Sequence, residues 1–225
     1  MAILRGHTAE VQSCEWNHLN KQRALSASND GTVKLWDISA VSQVMQPIGS
    51  FLHDNIANQA IWHPTHDAIF ASAASDQMCR IWDLRTGKDV KRIHAHTNDV
   101  LCCDFNKYEN FIATGSTDNL IKVFDLRASM DQPLMVLMGH QLAVKRIKFS
   151  PYHANILASA SYDMSVKVWD CNVQRHINQF EQHSEFATAV DFSNFAEGLM
   201  LSAGWDGLCC VHNINETKQA VMAAR

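Results

Sequence analysis

Short runs of alternating apolar and polar residues, broken by turn residues, fill this chain. Residues 143–149, Ala-Val-Lys-Arg-Ile-Lys-Phe, alternate with period two, the pattern of a strand buried on one face. Ser150-Pro151-Tyr152-His153 then ends the run, because proline fixes φ and has no N–H for a ladder. Residues 156–161 are small and apolar and predict a second strand. Tyr162-Asp163-Met164 reads as a tight turn, residues 165–170 as a third, alternating strand, and a fourth is expected around residues 176–180. The apolar run 134–138 ahead of Gly139-His140 also reads as a strand. Four further stretches parse the same way, each as a four-stranded antiparallel meander. No segment carries a helical period, so the expected class is all-β.

Polar residues recur in register within this pattern. A histidine stands at His7, His53, His96, His140 and His183, and 22 or 23 residues later an aspartate at Asp30, Asp76, Asp118, Asp163 and Asp206. Four residues before each aspartate is a hydroxyl: Ser26, Ser72, Thr114, Ser159 and Ser202. Six residues after it come Trp36, Trp82, Phe124, Trp169 and His212. Buried polar groups need partners, and this spacing supplies them. The histidine donates to the aspartate, and the hydroxyl bridges the histidine and the indole N–H. Three repeats hold the whole set. Phe124 and His212 lack the indole donor, so the third and fifth units are expected to be locally less stable. Serine, histidine and aspartate are also the members of a nucleophilic triad, but an active site needs one constellation, not five at equal spacing. No G-x-S-x-G elbow or phosphate-binding loop is present. The expectation is a protein that is not an enzyme, with no cofactor.

Composition narrows the class further. With 225 residues the chain can bury a sizeable core, and a net charge of −4 gives no basic stripe for nucleic acid. Apolar stretches are far shorter than the ~20 residues of a membrane span, and residues 1–5 are too short a run for a secretory signal. No direct membrane insertion is expected. The seven cysteines are odd in number and show no C-x-x-C spacing. They read as reduced thiols packed in a cytosolic protein, with no metal site.

The aspartates are spaced 42 to 46 residues apart, the range of blades in WD-repeat propellers, and the chain resembles that family. Several stretches are less generic. MGHQLAVKRIKFSPYHANILASASYDMSVKVWD (138–170) and EQHSEFATAVDFS (181–193) resemble the peroxin-7 family of receptors for type 2 peroxisomal targeting signals. HTAEVQSCEW (7–16), FASAASDQMCRIWD (70–83) and AHTNDVLCCDFNKYENFIATG (95–115) add to the likeness, which covers nearly the whole chain. It implies a WD40 β-propeller that works as a binding module. The family's role would make it a cytosolic receptor cycling to the peroxisome. It would bind an amphipathic N-terminal signal helix on cargo proteins and act with a peroxisomal co-receptor and docking proteins. The expected organisation is one propeller domain over 1–225, with repeats at about 6–47, 52–94, 95–138, 139–181 and 182–225. That family usually has seven blades, and residues 2–4 read as the closing strand of a further blade. Three readings stay open: a fragment or a misassigned start, a tighter five-bladed ring that residues 2–4 complete, or pairing with another chain.

Function then falls on the irregular positions of the loop-rich face. Three residues past the histidines stand Glu10, Ile56, Asp99, Ala143 and Phe186; five past them stand Gln12, Asn58, Leu101, Lys145 and Thr188. Immediately before the turn aspartates are Asn29, Ser75, Thr117, Tyr162 and Trp205. Glu10, Asp99 and Glu185 are candidates to attract a basic helix. Leu101, Tyr162, Phe186 and Trp205 are candidates to receive its apolar side. A rival reading rests on Trp82-Asp83-Leu84-Arg85 and Phe124-Asp125-Leu126-Arg127. Their W/F-D-x-R spacing resembles the docking motif of WD-repeat substrate receptors of cullin-type ubiquitin ligases. A generic scaffold subunit is a third.

Overall fold

The computed structural model describes residues 3–39, 44–128 and 132–215. From Ile3 through Asn213 the regular elements among them are strands. The chain divides into two compact units, the first running to Cys103 and the second from Asp104.

In the first unit, β1 (Ile3–Leu4), β2 (Val11–Trp16), β3 (Arg23–Ser28), β4 (Thr32–Asp37), β5 (Val44–Met45) and β6 (Gly49–Leu52) come first. β2, β3, β4 and β6 build a four-stranded sheet in that order, and β1 and β5 pair as a separate two-stranded one. β7 (Ala57–Trp62), β8 (Ile69–Ala74), β9 (Met78–Asp83) and β10 (Lys88–His94) follow as a second sheet, in sequence order. β11 (Val100–Phe105) falls at the division, and the rest of its sheet, β12 (Phe111–Ser116), β13 (Ile121–Asp125) and β14 (Met135–Leu137), belongs to the second unit. The second unit adds β15 (Val144–Phe149), β16 (Ile156–Ser161), β17 (Val166–Asp170) and β18 (Arg175–Phe180). It then adds β19 (Ala187–Phe192), β20 (Leu199–Gly204) and β21 (Cys209–Asn213), a three-stranded sheet among the described residues. The fourth strand expected of this last repeat falls on residues 216–225, outside those described. Successive antiparallel meanders of this kind are the blades of a WD40 β-propeller.

Residues 2–4 differ from expectation. Residue 2 lies outside the described residues, and Ile3–Leu4 do not close a further blade. They pair in parallel with β5, Ile3 opposite Val44 and Leu4 opposite Met45.

Sheets stack on one another through apolar faces. In the first unit Leu25, Val33 and Leu35 close on Ala57, Trp62 and Phe70 of the following sheet. In the second, Ala158, Ala160, Val166 and Val168 close on Ala187, Val190, Phe192 and Met200. Each buried aliphatic or aromatic side chain contributes roughly 1.5–3 kcal/mol by leaving water. Contact between sheets therefore matters more than any one ladder.

Two backbone devices recur and shape the loop face. The residue after each turn aspartate has positive φ: Gly31 (77°), Gln77 (69°), Asn119 (68°), Met164 (68°) and Gly207 (75°). The turn demands this conformation whether or not glycine is present, at a cost of about 1 kcal/mol where it is not. First strands also carry register shifts between Val11/Ser13, Ala57/Gln59, Val144/Arg146 and Ala187/Ala189. The residue between them in each (Gln12, Asn58, Lys145, Thr188) falls outside the ladder register and is re-aimed, as at a bulge.

Candidate functional site

The recurrent polar set is assembled most fully on the first and fourth sheets. His140 Nδ1 lies 2.8 Å from Asp163 Oδ2 and its Nε2 lies 2.7 Å from Ser159 Oγ. The indole N–H of Trp169 donates to the same Oγ at 2.8 Å. One direction of protons satisfies all of them: His140 Nδ1–H to Asp163, Ser159 O–H to His140 Nε2, Trp169 N–H to Ser159. His7, Asp30, Ser26 and Trp36 repeat the chain at 2.8, 2.6 and 2.8 Å. Thr32 and Ser165 add a hydroxyl donor to Asp30 and Asp163. The glycine before His7 and before His140 is needed for closeness. A Cβ on Gly139 would sit 3.1 Å from the Trp169 ring, and one on Gly6 3.0 Å from Pro47.

Electrostatics follow the bonds. Burial alone would raise the Asp163 carboxyl, but hydrogen bonds from His140, Ser165 and the Gln141 N–H outweigh it and hold it far below the carboxylate range. Asp30 is depressed the same way, burial being outweighed by Thr32, the Thr8 N–H and His7. Burial lowers His140, so it stays neutral beside an anionic aspartate. Ser159 is fully buried, with its proton and a lone pair both engaged. It has no access to a substrate and acts as a bracket.

The second and fifth sheets differ from the sequence reading. His53 and Asp76 stand 3.9 Å apart, and the Arg80 guanidinium lies between them, donating to Asp76 and, at 3.0 Å, to Asp54. The reason is local. Met78 stands where Thr32 and Ser165 supply a hydroxyl, and the arginine takes up the unmet carboxylate. Trp82 still donates to Ser72 at 2.8 Å, but His53 Nε2 has no partner among the described residues. On the fifth sheet His183 reaches Asp206 (2.9 Å) and Ser202 (2.8 Å), and His212 Nε2 meets Ser202 Oγ at 2.7 Å. His212 thus replaces the indole donor that it was expected to lack. In the third repeat His96 and Thr114 are buried, Thr114 donates to the Lys122 carbonyl at 3.3 Å, and the buried Phe124 ring fills the indole's place. Asp118 accepts the Leu120 N–H at 3.1 Å.

His53 carries a pH signature. Burial, then the Arg80 charge, lowers it to about 4. An unfolded chain, with an ordinary imidazole near 6.5, takes up a proton that folded His53 refuses until about pH 4. Stability therefore falls as pH drops from about 6.5 to 4, by on the order of 3 kcal/mol for this group. Half-buried His63, also lowered to about 4, adds to the same window. Urea unfolding as a function of pH checks this: His53→Asn is expected to flatten the slope between pH 6.5 and 4, and an unchanged slope would remove His53 from the account.

The irregular positions are brought together by a backbone lock. Asn29 N–H donates to Glu10 C=O (2.9 Å), Ser75 to Ile56 (2.9 Å), Tyr162 to Ala143 (3.0 Å) and Trp205 to Phe186 (3.0 Å). In these four repeats the residue before the turn aspartate is thereby fixed beside the residue three past the histidine, whatever their side chains. In the second unit this yields a continuous aromatic surface. Phe186 stacks on Tyr162 at 4.6 Å and 24°, and meets Trp205 in a tilted contact at 5.1 Å and 51°. Trp205 is 67% exposed, and Glu185, next to Phe186 in the chain, is exposed. The first unit is polar at the same positions: Gln12 donates to Asn29 (2.8 Å) and Asn29 to the Glu10 carboxylate (3.2 Å). Asp99 and Leu101 are half-buried at the start of β11. Pairing of Tyr162 with Phe186 was not read from the sequence. The signal was there in two aromatics at irregular positions of consecutive repeats.

The W/F-D-x-R motifs fold on themselves. Arg85 binds Asp83 at 2.6 Å, and Arg127 binds Asp125 at 3.3 Å, both at strand ends. Among the described residues no helix is long and apolar enough to cross a membrane, and no group of three metal-ligating side chains converges.

Comparison with known proteins places this geometry. The β-propeller family model described as nucleolar protein 10-like, N-terminal domain, matches residues 4–221. The chain is 28% identical over 276 aligned residues to the peroxisomal targeting signal 2 receptor of Saccharomyces cerevisiae, covering 95% of this chain and 74% of that protein. It is 32% identical over 202 residues to the protein of the same name from Schizosaccharomyces pombe, covering 89% of this chain and 64% of that one. The chain thus spans less than two thirds of the length of the second relative.

Proposed function

The chain belongs to the WD-repeat β-propeller family described as nucleolar protein 10-like, N-terminal domain, and from that premise we propose that it is a receptor for type 2 peroxisomal targeting signals. It binds the amphipathic signal helix of a cargo protein in the cytosol and, with a co-receptor and docking proteins, delivers it for import. The repeats at about 6–47, 52–94, 95–138, 139–181 and 182–225 form one propeller domain that carries the binding face. Two relatives of that name support the reading across 89% and 95% of the chain. The observation that carries it is the Tyr162–Phe186–Trp205 surface. Three contacting rings, one of them largely in water, suit the apolar side of a helix laid on the turns. Glu185, next to Phe186 in the chain, suits a basic residue on that helix. In the first unit, taken by itself, Glu10 and Asp99 are the acidic and Leu101 the apolar candidates at the irregular positions.

Fluorescence anisotropy of a labelled signal helix titrated with the protein tests this. Saturable binding that a scrambled helix does not reproduce is expected, and equal behaviour of the two helices would end the proposal. Charge is tested separately. Glu10→Lys combined with Asp99→Lys is expected to weaken binding roughly fivefold, mainly through a slower on-rate, with the difference shrinking as salt rises. An unchanged affinity at low salt would take both residues out of the site.

A further inference from the structure

Within the second unit, the fourth sheet holds a pocket of about 460 Å³, inside the range of small-molecule sites, roughly 300–1,000 Å³. Lys167 lies two residues before Trp169 and so on the same face of β17. It forms the pocket's polar wall with His176 and Gln179 of β18 and with Glu181 just past that strand. Met164 and Gln141 also line it. His176 meets the Trp169 ring edge-on at 5.6 Å, which sets an imidazole into the same wall.

Lys167 is 4% exposed, and its charge is held by one side chain. Its Nζ donates to the Gln179 side-chain carbonyl, and the Gln179 amide donates in turn to Glu181. An ammonium has three donors and a carboxylate two acceptor oxygens. Among the described residues, two N–H groups of Lys167 and one oxygen of the exposed Glu181 are left without a bond. Asp163, the other acid lining the pocket, is already engaged. Its Oδ2 accepts from His140 and the Gln141 N–H, and its Oδ1 from the Ser165 N–H and hydroxyl. Burial lowers the Lys167 amine, and the Asp163 and Glu181 charges offset part of that. The repeat template does not require this chain of groups. Opposite the equivalent cation stand Ser50 for Lys34, Arg92 for Arg80 and Val136 for Lys122. Two residues further on are Leu52, His94 and Met138, where the fourth repeat has Glu181.

We propose that this pocket binds a free α-amino acid as its zwitterion, the carboxylate on Lys167 and His176 and the α-ammonium on Glu181. Polarity selects the class. The Gln179 carboxamide turns its oxygen to Lys167 and its NH₂ to Glu181, and a ligand beside it meets the same order of donor and acceptor. A simple anion would satisfy Lys167 but stand against Glu181, and a simple cation would do the reverse. A molecule with both charges on neighbouring atoms answers both ends with charge-assisted hydrogen bonds. Met164 gives its side chain an apolar neighbour. This site does not depend on the signal-helix reading.

Saturation-transfer NMR of the full chain titrated with L-leucine tests it, alongside N-acetyl-L-leucine, which lacks the ammonium, and L-leucine methyl ester, which lacks the carboxylate. Leucine is expected to bind saturably. Each derivative is expected to bind about tenfold more weakly or worse, as for a lost hydrogen bond between charged groups. Lys167→Met keeps the buried stem and removes the ammonium, and should bring leucine down to the level of the ester. Glu181→Gln lies at an exposed position and should bring it down to the level of the acetyl derivative, which keeps the test open should Lys167→Met fail to fold. Circular dichroism verifies both variants. No saturable binding of leucine, derivatives that bind as tightly as leucine, or a folded variant that binds like the parent would each overturn the proposal.

Discussion

Trp169→Ala is expected to destabilise the second unit by about 3–5 kcal/mol. The indole is fully buried and packs edge-on against His140 at 5.7 Å and His176 at 5.6 Å. Its removal leaves a cavity and orphans Ser159 Oγ at the same time. Trp169→Phe separates the two effects. It keeps most of the packing, as Phe124 does in the third repeat, but loses the N–H to Ser159, and should cost about 1–2 kcal/mol. Urea unfolding of the three proteins measures both numbers. A phenylalanine variant as stable as the parent would mean that the ring alone, and not the hydrogen-bonded chain, holds the sheet.

Trp205→Ala is the counterpart on the loop face, and the expectation there is reversed. With the ring largely in water, stability should change little. Affinity for the signal helix should fall by about 2 kcal/mol or more, roughly thirtyfold, as for a central aromatic anchor. Phe186→Ala should also weaken binding, but with some loss of stability, because that ring is half-buried against Tyr162. Titration of each variant alongside a melting curve tells these outcomes apart. A Trp205→Ala protein that binds like the parent would move the site elsewhere.

These two substitutions mark how far the residues could be read in advance. Strands and turns were legible because period-two alternation and turn residues are local signals. The polar sets were legible because fixed spacing in repeated hairpins puts the same atoms in reach of one another. Arg80 was not legible as an intruder. Its long side chain bonds to Asp76 because Met78 leaves an acceptor unmet, and that depends on three positions at once. His212 was misread for a related reason. An imidazole N–H takes the place of an indole N–H when the hydroxyl lies at 2.7 Å. On the loop face the candidates were identifiable by their irregularity, but their contacts were not. Bulges on the first strands and the N–H lock between turn and strand decide which side chains meet. Those are properties of the folded backbone. The aromatic surface on Tyr162, Phe186 and Trp205 is their product.

The central claim is that the regular residues are scaffold and the irregular turn residues bind. Photo-crosslinking tests it most directly. A signal helix carrying a photoreactive group on its apolar side is irradiated with the protein, and mass spectrometry locates the attachment. Attachment is predicted at Tyr162, Phe186 or Trp205 and their turns, and is lost with a scrambled helix. Attachment confined to the opposite turns, such as those around Leu19 or Phe195, or none above the scrambled control, would contradict the account.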